Sequence, residues 1–128
     1  FGAIVAQAME VRVVGPKRVR IERVGCTVDA GFAVHPDQLA AQMQGGIVYG
    51  LSAAMYGRID LRDGAVVQSN FHDYQVLRLP NAPEVDIYFI QSDYSPTGLG
   101  EPALPPLAPA IGNAIYAATG ERVRKMPL

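Results

Sequence analysis

Several residue types are scarce in this sequence, and each scarcity narrows what the protein can be. Tryptophan is absent, histidine occurs twice, and Cys26 is the single cysteine. One cysteine allows no intrachain disulfide, and two distant histidines without a cysteine pair do not form the pattern of a zinc site. The net charge of -1 gives no electrostatic basis for binding nucleic acid or an anionic membrane. No apolar run approaches the length needed to cross a bilayer.

The composition is that of a chain that folds around a core. Apolar residues make up 49% of the sequence and charged residues 18%, and 128 residues suffice for one domain. The sequence begins at Phe1 instead of methionine, and its first residues contain no basic side chain, so they do not form a signal peptide. We therefore expect residues 1–128 to be a fragment of a longer chain.

Alternation of apolar and polar residues predicts several strands. Residues 4–14 and 19–28 alternate and are separated by a Gly-Pro sequence, which predicts two strands joined by a turn. Residues 58–68 contain an Asp-Gly pair, which is typical of a tight β-hairpin turn. Residues 85–89 alternate as in a half-buried strand, whereas residues 69–83 contain two prolines and are predicted to be mostly loop.

Two helices are predicted. The first begins at His35-Pro36-Asp37, because proline and an acidic residue are typical of a first helical turn. Its apolar residues recur every four positions, at Leu39, Met43, Ile47, Leu51 and Met55. The second helix can begin only near residues 106–109 and ends at Gly120. The predicted fold is α+β, with an antiparallel sheet packed against two helices, as part of a larger domain.

Three glycines lie inside the first predicted helix, at Gly45, Gly46 and Gly50. Each costs about 1 kcal/mol relative to alanine in a helix interior. We therefore predict that this face of the helix lies against a close neighbour, either another part of the backbone or a ligand.

The strongest candidate for a catalytic residue is Glu101, which follows Gly98 and Gly100 and precedes Pro102. Glycines let the backbone approach a bound group, and a general base needs a fixed position, which the proline favours. The alternative is that Glu101 only decorates a helix start, and on spacing alone this alternative is favoured, since functional carboxylates are a small minority. A dinucleotide-binding fingerprint is excluded because the third glycine is missing.

Other polar residues allow both a structural and a functional interpretation. Gln42 and Gln44 precede a glycine pair, where a side-chain amide can face a polar ligand or solvent. His72 beside Asp73 can be catalytic, but a hydrogen-bonding role within a loop is favoured. Cys26 is predicted to be a small core residue and not a nucleophile.

Three segments, in this order and spacing, resemble one family. They are residues 26–36 (CTVDAGFAVHP), 42–54 (QMQGGIVYGLSAA) and 98–110 (GLGEPALPPLAPA). They resemble the C-terminal part of the molybdenum-binding subunit of the xanthine dehydrogenase and aldehyde oxidase family. Residues 69–74 (SNFHDY) are most similar to the isoquinoline 1-oxidoreductase β-subunit branch, which includes membrane-linked aldehyde dehydrogenases. The chain differs from many relatives at Ala30, Phe32 and Ala103, where they carry cysteine, arginine and glycine.

The resemblance implies a function and a set of site residues. Relatives oxidise an aldehyde or an N-heteroaromatic carbon with oxygen from water, and the residue matching Glu101 is their general base. The resemblance also implies that Gln42, Gly98, Leu99 and Gly100 contact the cofactor, and it assigns no metal ligand to a side chain of this chain.

The resemblance further implies a cofactor and partners. The cofactor is molybdenum–molybdopterin, in the cytosine dinucleotide form, within a larger molybdopterin-binding domain. The partners are the remainder of the molybdenum subunit, a small subunit with iron–sulfur clusters, and a cytochrome c as electron acceptor, with no nucleic acid. The branch implies a periplasmic or membrane-associated location, and a cytoplasmic one stays open.

We expect the isolated fragment to be inactive, because in the family the loops that hold the rest of the cofactor lie upstream of Phe1. Two alternatives remain open from the sequence. The chain can be a stable structural or interaction module without catalysis, or part of an enzyme that uses Glu101 without molybdenum.

Overall fold

The computed structural model describes residues 2–15 and 18–128. The elements in chain order are β1 (Ile4–Gly15), β2 (Arg18–Asp29), α1 (Pro36–Tyr56), β3 (Leu61–Arg62), β4 (Ala65–Val66), β5 (Glu84–Phe89) and α2 (Leu107–Thr119). The predicted α+β class and both predicted helices are confirmed. The predicted turn between β1 and β2 falls on residues 16 and 17, which lie outside the described residues.

The long strands β1 and β2 form an antiparallel pair, as predicted, with Ile4 opposite Asp29 and Gln7 opposite Cys26. The later part of β2 buries one face, because the alternate residues from Val24 to Val28 are apolar; Val24 and Val28 have no exposed surface. Cys26 is buried on the same face, which confirms its prediction as a core residue.

The third strand of this sheet makes it a mixed sheet and not a purely antiparallel one. β5 pairs with β2 in parallel, with Val24 opposite Val85 and Val28 opposite Phe89, so the strand order is β1-β2-β5. The predicted antiparallel arrangement therefore holds for β1 and β2 but not for β5. The physical reason is the crossover: α1 and the following hairpin carry the chain back to the end of the sheet at which β2 began, and only a long connection permits parallel pairing.

Helix α1 begins and packs as its sequence predicts. The His35 ring is its N-cap, since Nδ1 accepts a hydrogen bond from the Gln38 backbone N–H at 3.2 Å. Met43, Ile47 and Leu51 from the predicted apolar stripe have no exposed surface. Within the described residues, no helix has both the length and the apolar character of a membrane span.

Helix α2 completes the core. It buries Leu107, Ile111 and Ile115, contacts both β1 and α1, and ends at Gly120, whose φ of 77° is the left-handed conformation expected there. The separate hairpin of β3 and β4 turns at Asp63 and Gly64, which both have positive φ, so the predicted Asp-Gly turn is confirmed.

The three glycines of α1 differ in their surroundings. A Cβ on Gly46 would lie 2.9 Å from the Ala103 Cβ, and one on Gly50 would lie 3.2 Å from the Leu107 Cδ1. The predicted close neighbour is therefore confirmed at these two positions, and it is the segment that leads into α2 together with the first residue of that helix. The prediction is wrong at Gly45, which is exposed and would meet nothing within 4 Å.

Candidate functional site

The loop between β5 and α2 is fixed to the turn that follows β2. The Ile90 backbone N–H donates to the Val28 carbonyl at 2.9 Å, and the Thr97 N–H donates to the Ala30 carbonyl at 2.9 Å. In the opposite direction, the Phe32 N–H donates to a carbonyl of this loop, that of Tyr94, at 3.0 Å. These backbone bonds hold the loop that carries Glu101 at the end of β2.

The centre of this attachment is Gly31, which is buried and has a φ of 77°. Its position leaves no room for a side chain, since a Cβ would overlap the Ser95 carbonyl oxygen. Next to it, the Asp29 Oδ1 accepts hydrogen bonds from the Ser92 hydroxyl at 2.7 Å and from the Gly31 N–H at 3.1 Å. The Ser92 bond first, and the Gly31 bond second, lower the pKa of the Asp29 carboxyl.

A cavity of about 240 Å³ lies between this turn, the N-terminal half of α1 and the Glu101 loop. It brings Gln42 and Leu99 together, two of the residues that the resemblance assigns to the cofactor. Leu99 is only 8% exposed, whereas the Gln42 side chain reaches solvent. The remaining lining residues are Ala30, Phe32, Val34, Gln38, Leu39, Pro96 and Thr97.

The segment before Glu101 presents an open backbone. A Cβ on Gly98 or Gly100 would meet nothing within 4 Å, and both residues are exposed. Glu101 is also exposed, and among the described residues its carboxylate has no hydrogen bond or ion pair. Its carbonyl accepts from the Leu104 N–H at 2.9 Å, in a turn ahead of α2. Glu101 therefore lies outside the first turn of that helix.

Gln7 is a polar residue in contact with the segment after Glu101 that the sequence analysis missed. Its Nε2 donates to the Ala103 carbonyl at 2.8 Å, while its Oε1 is buried and has no partner within the described part of the chain. The signal was present in the sequence, because Gln7 is a polar residue on the face of β1 that also carries Val5 and Met9.

The other candidates have structural roles. The Gln44 amide lies 3.5 Å from the Val85 carbonyl, away from the cavity that Gln42 lines. His72 is exposed and lies 3.5 Å from the Ser69 hydroxyl, within a loop whose backbone N–H groups bond to Asp73. Over residues 2–15 and 18–128, His, Cys, Asp and Glu form no group of three that could hold a metal ion.

The site fits one wall of a binding cradle for a large polar ligand. The Gln42 amide can donate and accept hydrogen bonds at the cavity, and the open backbone at Gly98 and Gly100 allows close approach. Leu99 adds an apolar floor. A mostly apolar lining with a few polar groups is typical of small-molecule binding sites.

The chain is similar to known proteins along most of its length. The family model described as the molybdopterin cofactor-binding domain matches residues 2–83. The chain therefore belongs to the molybdopterin cofactor-binding domain family. The isoquinoline 1-oxidoreductase subunit beta of Brevundimonas diminuta is 39% identical over 84% of this chain. The membrane-bound aldehyde dehydrogenase (pyrroloquinoline-quinone) of Gluconacetobacter polyoxogenes is 41% identical over 86% of it.

These relatives confirm the predicted resemblance to molybdenum-binding subunits of the xanthine dehydrogenase and aldehyde oxidase family. The chain spans 14% of the length of each of the two relatives named above. The crystal structure of quinoline 2-oxidoreductase from Pseudomonas putida matches 86% of this chain, and 15% of its own chain is covered. Its TM-score of 0.77 at 19% identity confirms the fold.

Proposed function

We propose that the complete subunit containing this chain oxidises an aldehyde or an N-heteroaromatic carbon with oxygen from water, and that Glu101 is its general base. The observation that carries the proposal is the position of Glu101. Glu101 is exposed and comes directly after Gly100, whose backbone is open, and two residues after Leu99, which lines the cavity together with Gln42. Its loop is held to the end of β2 by backbone hydrogen bonds. The names of two relatives, an isoquinoline oxidoreductase and an aldehyde dehydrogenase, support these two classes of substrate.

The proposed cofactor contacts are Gln42, Gly98, Leu99 and Gly100. The Gln42 amide would hydrogen-bond to the polar edge of a molybdopterin, in the cytosine dinucleotide form by family resemblance. The two glycines would let the ligand lie against the backbone, and Leu99 would exclude water beneath it. When bound, the molybdenum–molybdopterin group supplies two-electron oxidation and reduction.

The chain itself would contribute the proton transfer. A Glu101 carboxylate oxygen would accept the proton from the water-derived nucleophile, and the attachment of the loop through Ala30 and Phe32 would hold the backbone that carries Glu101. The proposed partners are the remainder of the molybdenum subunit, a small iron–sulfur subunit and a cytochrome c acceptor. The word subunit in the names of several relatives supports an assembly of several subunits.

The direct test uses the complete enzyme purified from its native host. We expect about one molybdenum per subunit, no pyrroloquinoline quinone, and transfer of oxygen from isotopically labelled water into an aldehyde or heteroaromatic product. The second cofactor is measured because it appears in the name of one relative. Turnover with pyrroloquinoline quinone and without molybdenum would contradict the proposal.

A structural or interaction module without catalysis is the second candidate. It is favoured by the exposure of Glu101, whose carboxylate has no partner among the described residues. A complete, folded subunit that contains no molybdenum and oxidises neither substrate class would support this module. For the isolated chain, we expect no tightly bound cofactor, and recovery of a stoichiometric dinucleotide cofactor from it would contradict that expectation.

A further inference from the structure

We propose that Gln7 is a positioning residue for Glu101, an inference that rests on the proposed function. The two residues are far apart in sequence, and the link between them is Ala103. The Gln7 Nε2 donates to the Ala103 carbonyl at 2.8 Å. Ala103 lies in the turn of residues 101–104, here called the Glu101 turn. Among the described hydrogen bonds, no other side chain of β1 reaches this turn.

Ala103 is held from two sides. On the sheet side it accepts the Gln7 hydrogen bond, and on the helix side its methyl group packs where Gly46 has no side chain. Ala103 is only 1% exposed, so no water replaces either contact. The turn is closed by the Leu104 N–H, which donates to the Glu101 carbonyl at 2.9 Å. Fixing Ala103 therefore fixes the backbone of Glu101.

The Gln7 side chain is not the one that would make the fold most stable at this position. Its Oε1 is buried without a hydrogen-bond donor within the described residues, which destabilises a fold. Rotating the amide would not help, because it would turn the oxygen toward the Ala103 carbonyl oxygen. An apolar side chain of the same length would fill this place without an unpaired oxygen. A residue that is unfavourable for stability but holds a functional turn is expected at a site of this kind.

The test is Gln7→Met in the complete enzyme, with Met9→Leu as the control on the same face of β1. Methionine fills the volume but cannot donate to the Ala103 carbonyl. We expect kcat per molybdenum to fall about tenfold or more, since small displacements of a catalytic group are costly. KM, molybdenum content and melting temperature should stay unchanged, or the melting temperature should rise.

A second measurement does not depend on activity. Hydrogen exchange of the peptide spanning residues 101–107 should become several-fold faster in Gln7→Met. This peptide reports the turn closely, because its three prolines carry no amide hydrogen. Unchanged exchange together with unchanged kcat would overturn the inference, and so would a lower melting temperature with normal kcat per molybdenum, since that pattern indicates a purely structural role.

Glu101→Gln is measured in parallel. If Glu101→Gln retains turnover, the proposed function is wrong, and the exchange measurement still decides whether Gln7 fixes the turn. If Glu101→Gln abolishes turnover and Gln7→Met changes neither kcat nor exchange, only the inference about Gln7 is wrong.

Discussion

Neighbouring glycines in α1 allow a matched test of how the Glu101 turn packs. Both Gly45→Ala and Gly46→Ala introduce the same methyl group into a helix interior, where alanine is favoured by about 1 kcal/mol. A methyl group on Gly45 enters open space, but one on Gly46 would lie 2.9 Å from the Ala103 Cβ. Because the helix propensity term is common to both, the difference between the two variants isolates the steric overlap.

The overlap has an expected magnitude. Overpacking of a core site costs about 1 to 3 kcal/mol. We therefore expect Gly45→Ala to raise the free energy of unfolding by about 0.5 to 1 kcal/mol and Gly46→Ala to lower it by up to about 2 kcal/mol. Gly46→Ala should also reduce turnover, because Ala103 must shift away from α1, which distorts its hydrogen bond with Gln7.

The assay is thermal unfolding of the complete subunit, combined with turnover per molybdenum. The double variant Gly46→Ala with Ala103→Gly exchanges the two methyl groups and should recover most of both losses, which a double-mutant cycle would show as coupling. Equal stabilisation by Gly45→Ala and Gly46→Ala would refute the packing of Ala103 against α1.

Three further predictions concern the same region. Gly31→Ala should destabilise strongly and reduce turnover per folded enzyme, because the position combines a positive φ with contact to the Ser95 carbonyl; a melting temperature equal to the parent's would contradict this. The hydrogen bonds from Ser92 and Gly31 lower the pKa of Asp29 below its usual 3.8. The ionised Asp29 carboxylate therefore stabilises the fold at pH values above 3.8, and this stabilisation is lost as the pH falls through the lowered pKa. The melting temperature should therefore fall on acidification below about pH 4, and less steeply in Asp29→Asn, whose neutral amide does not titrate. Cys26 is buried, burial raises the pKa of its thiol, and it should react with a thiol reagent only after unfolding; rapid reaction of the native protein would show otherwise.

Local patterns predicted most of the fold. Several features of the fold depend only on residues that are close together in sequence, so the sequence alone is enough to predict them. They are the alternation in β1 and β2, the apolar stripe of α1, and the helix ends at His35 and Gly120. The parallel pairing of β5 with β2 depends on how a long connection returns to the sheet, and residues 85–89 contain no information about that direction.

The site was predictable only in part, for the same reason. Family resemblance assigned Gln42 and Leu99 to the cofactor, which stays a prediction, and the structure brings both to one cavity. Gln7 stands out as a polar residue on an apolar face of β1, but its partner Ala103 lies 96 residues further along the chain, so no local pattern reveals the bond between them. Gly45 and Gly46 are adjacent in sequence but point in different directions from the helix axis. As a result, Gly46 lies in tight contact with Ala103, whereas Gly45 faces open solvent.

The most direct test of the account is Glu101→Gln in the complete enzyme, with Glu121→Gln as the control. Both glutamates are exposed, and glutamine keeps the size but cannot accept a proton at neutral pH. Since the Glu101 carboxylate has no partner among the described residues, the free energy of unfolding should change by less than about 0.5 kcal/mol. Turnover normalised to molybdenum content should fall by about a hundred- to ten-thousand-fold in Glu101→Gln and stay unchanged in Glu121→Gln. A Glu101→Gln rate within a few-fold of the parent, at normal molybdenum content, would contradict the assignment of Glu101 as the general base.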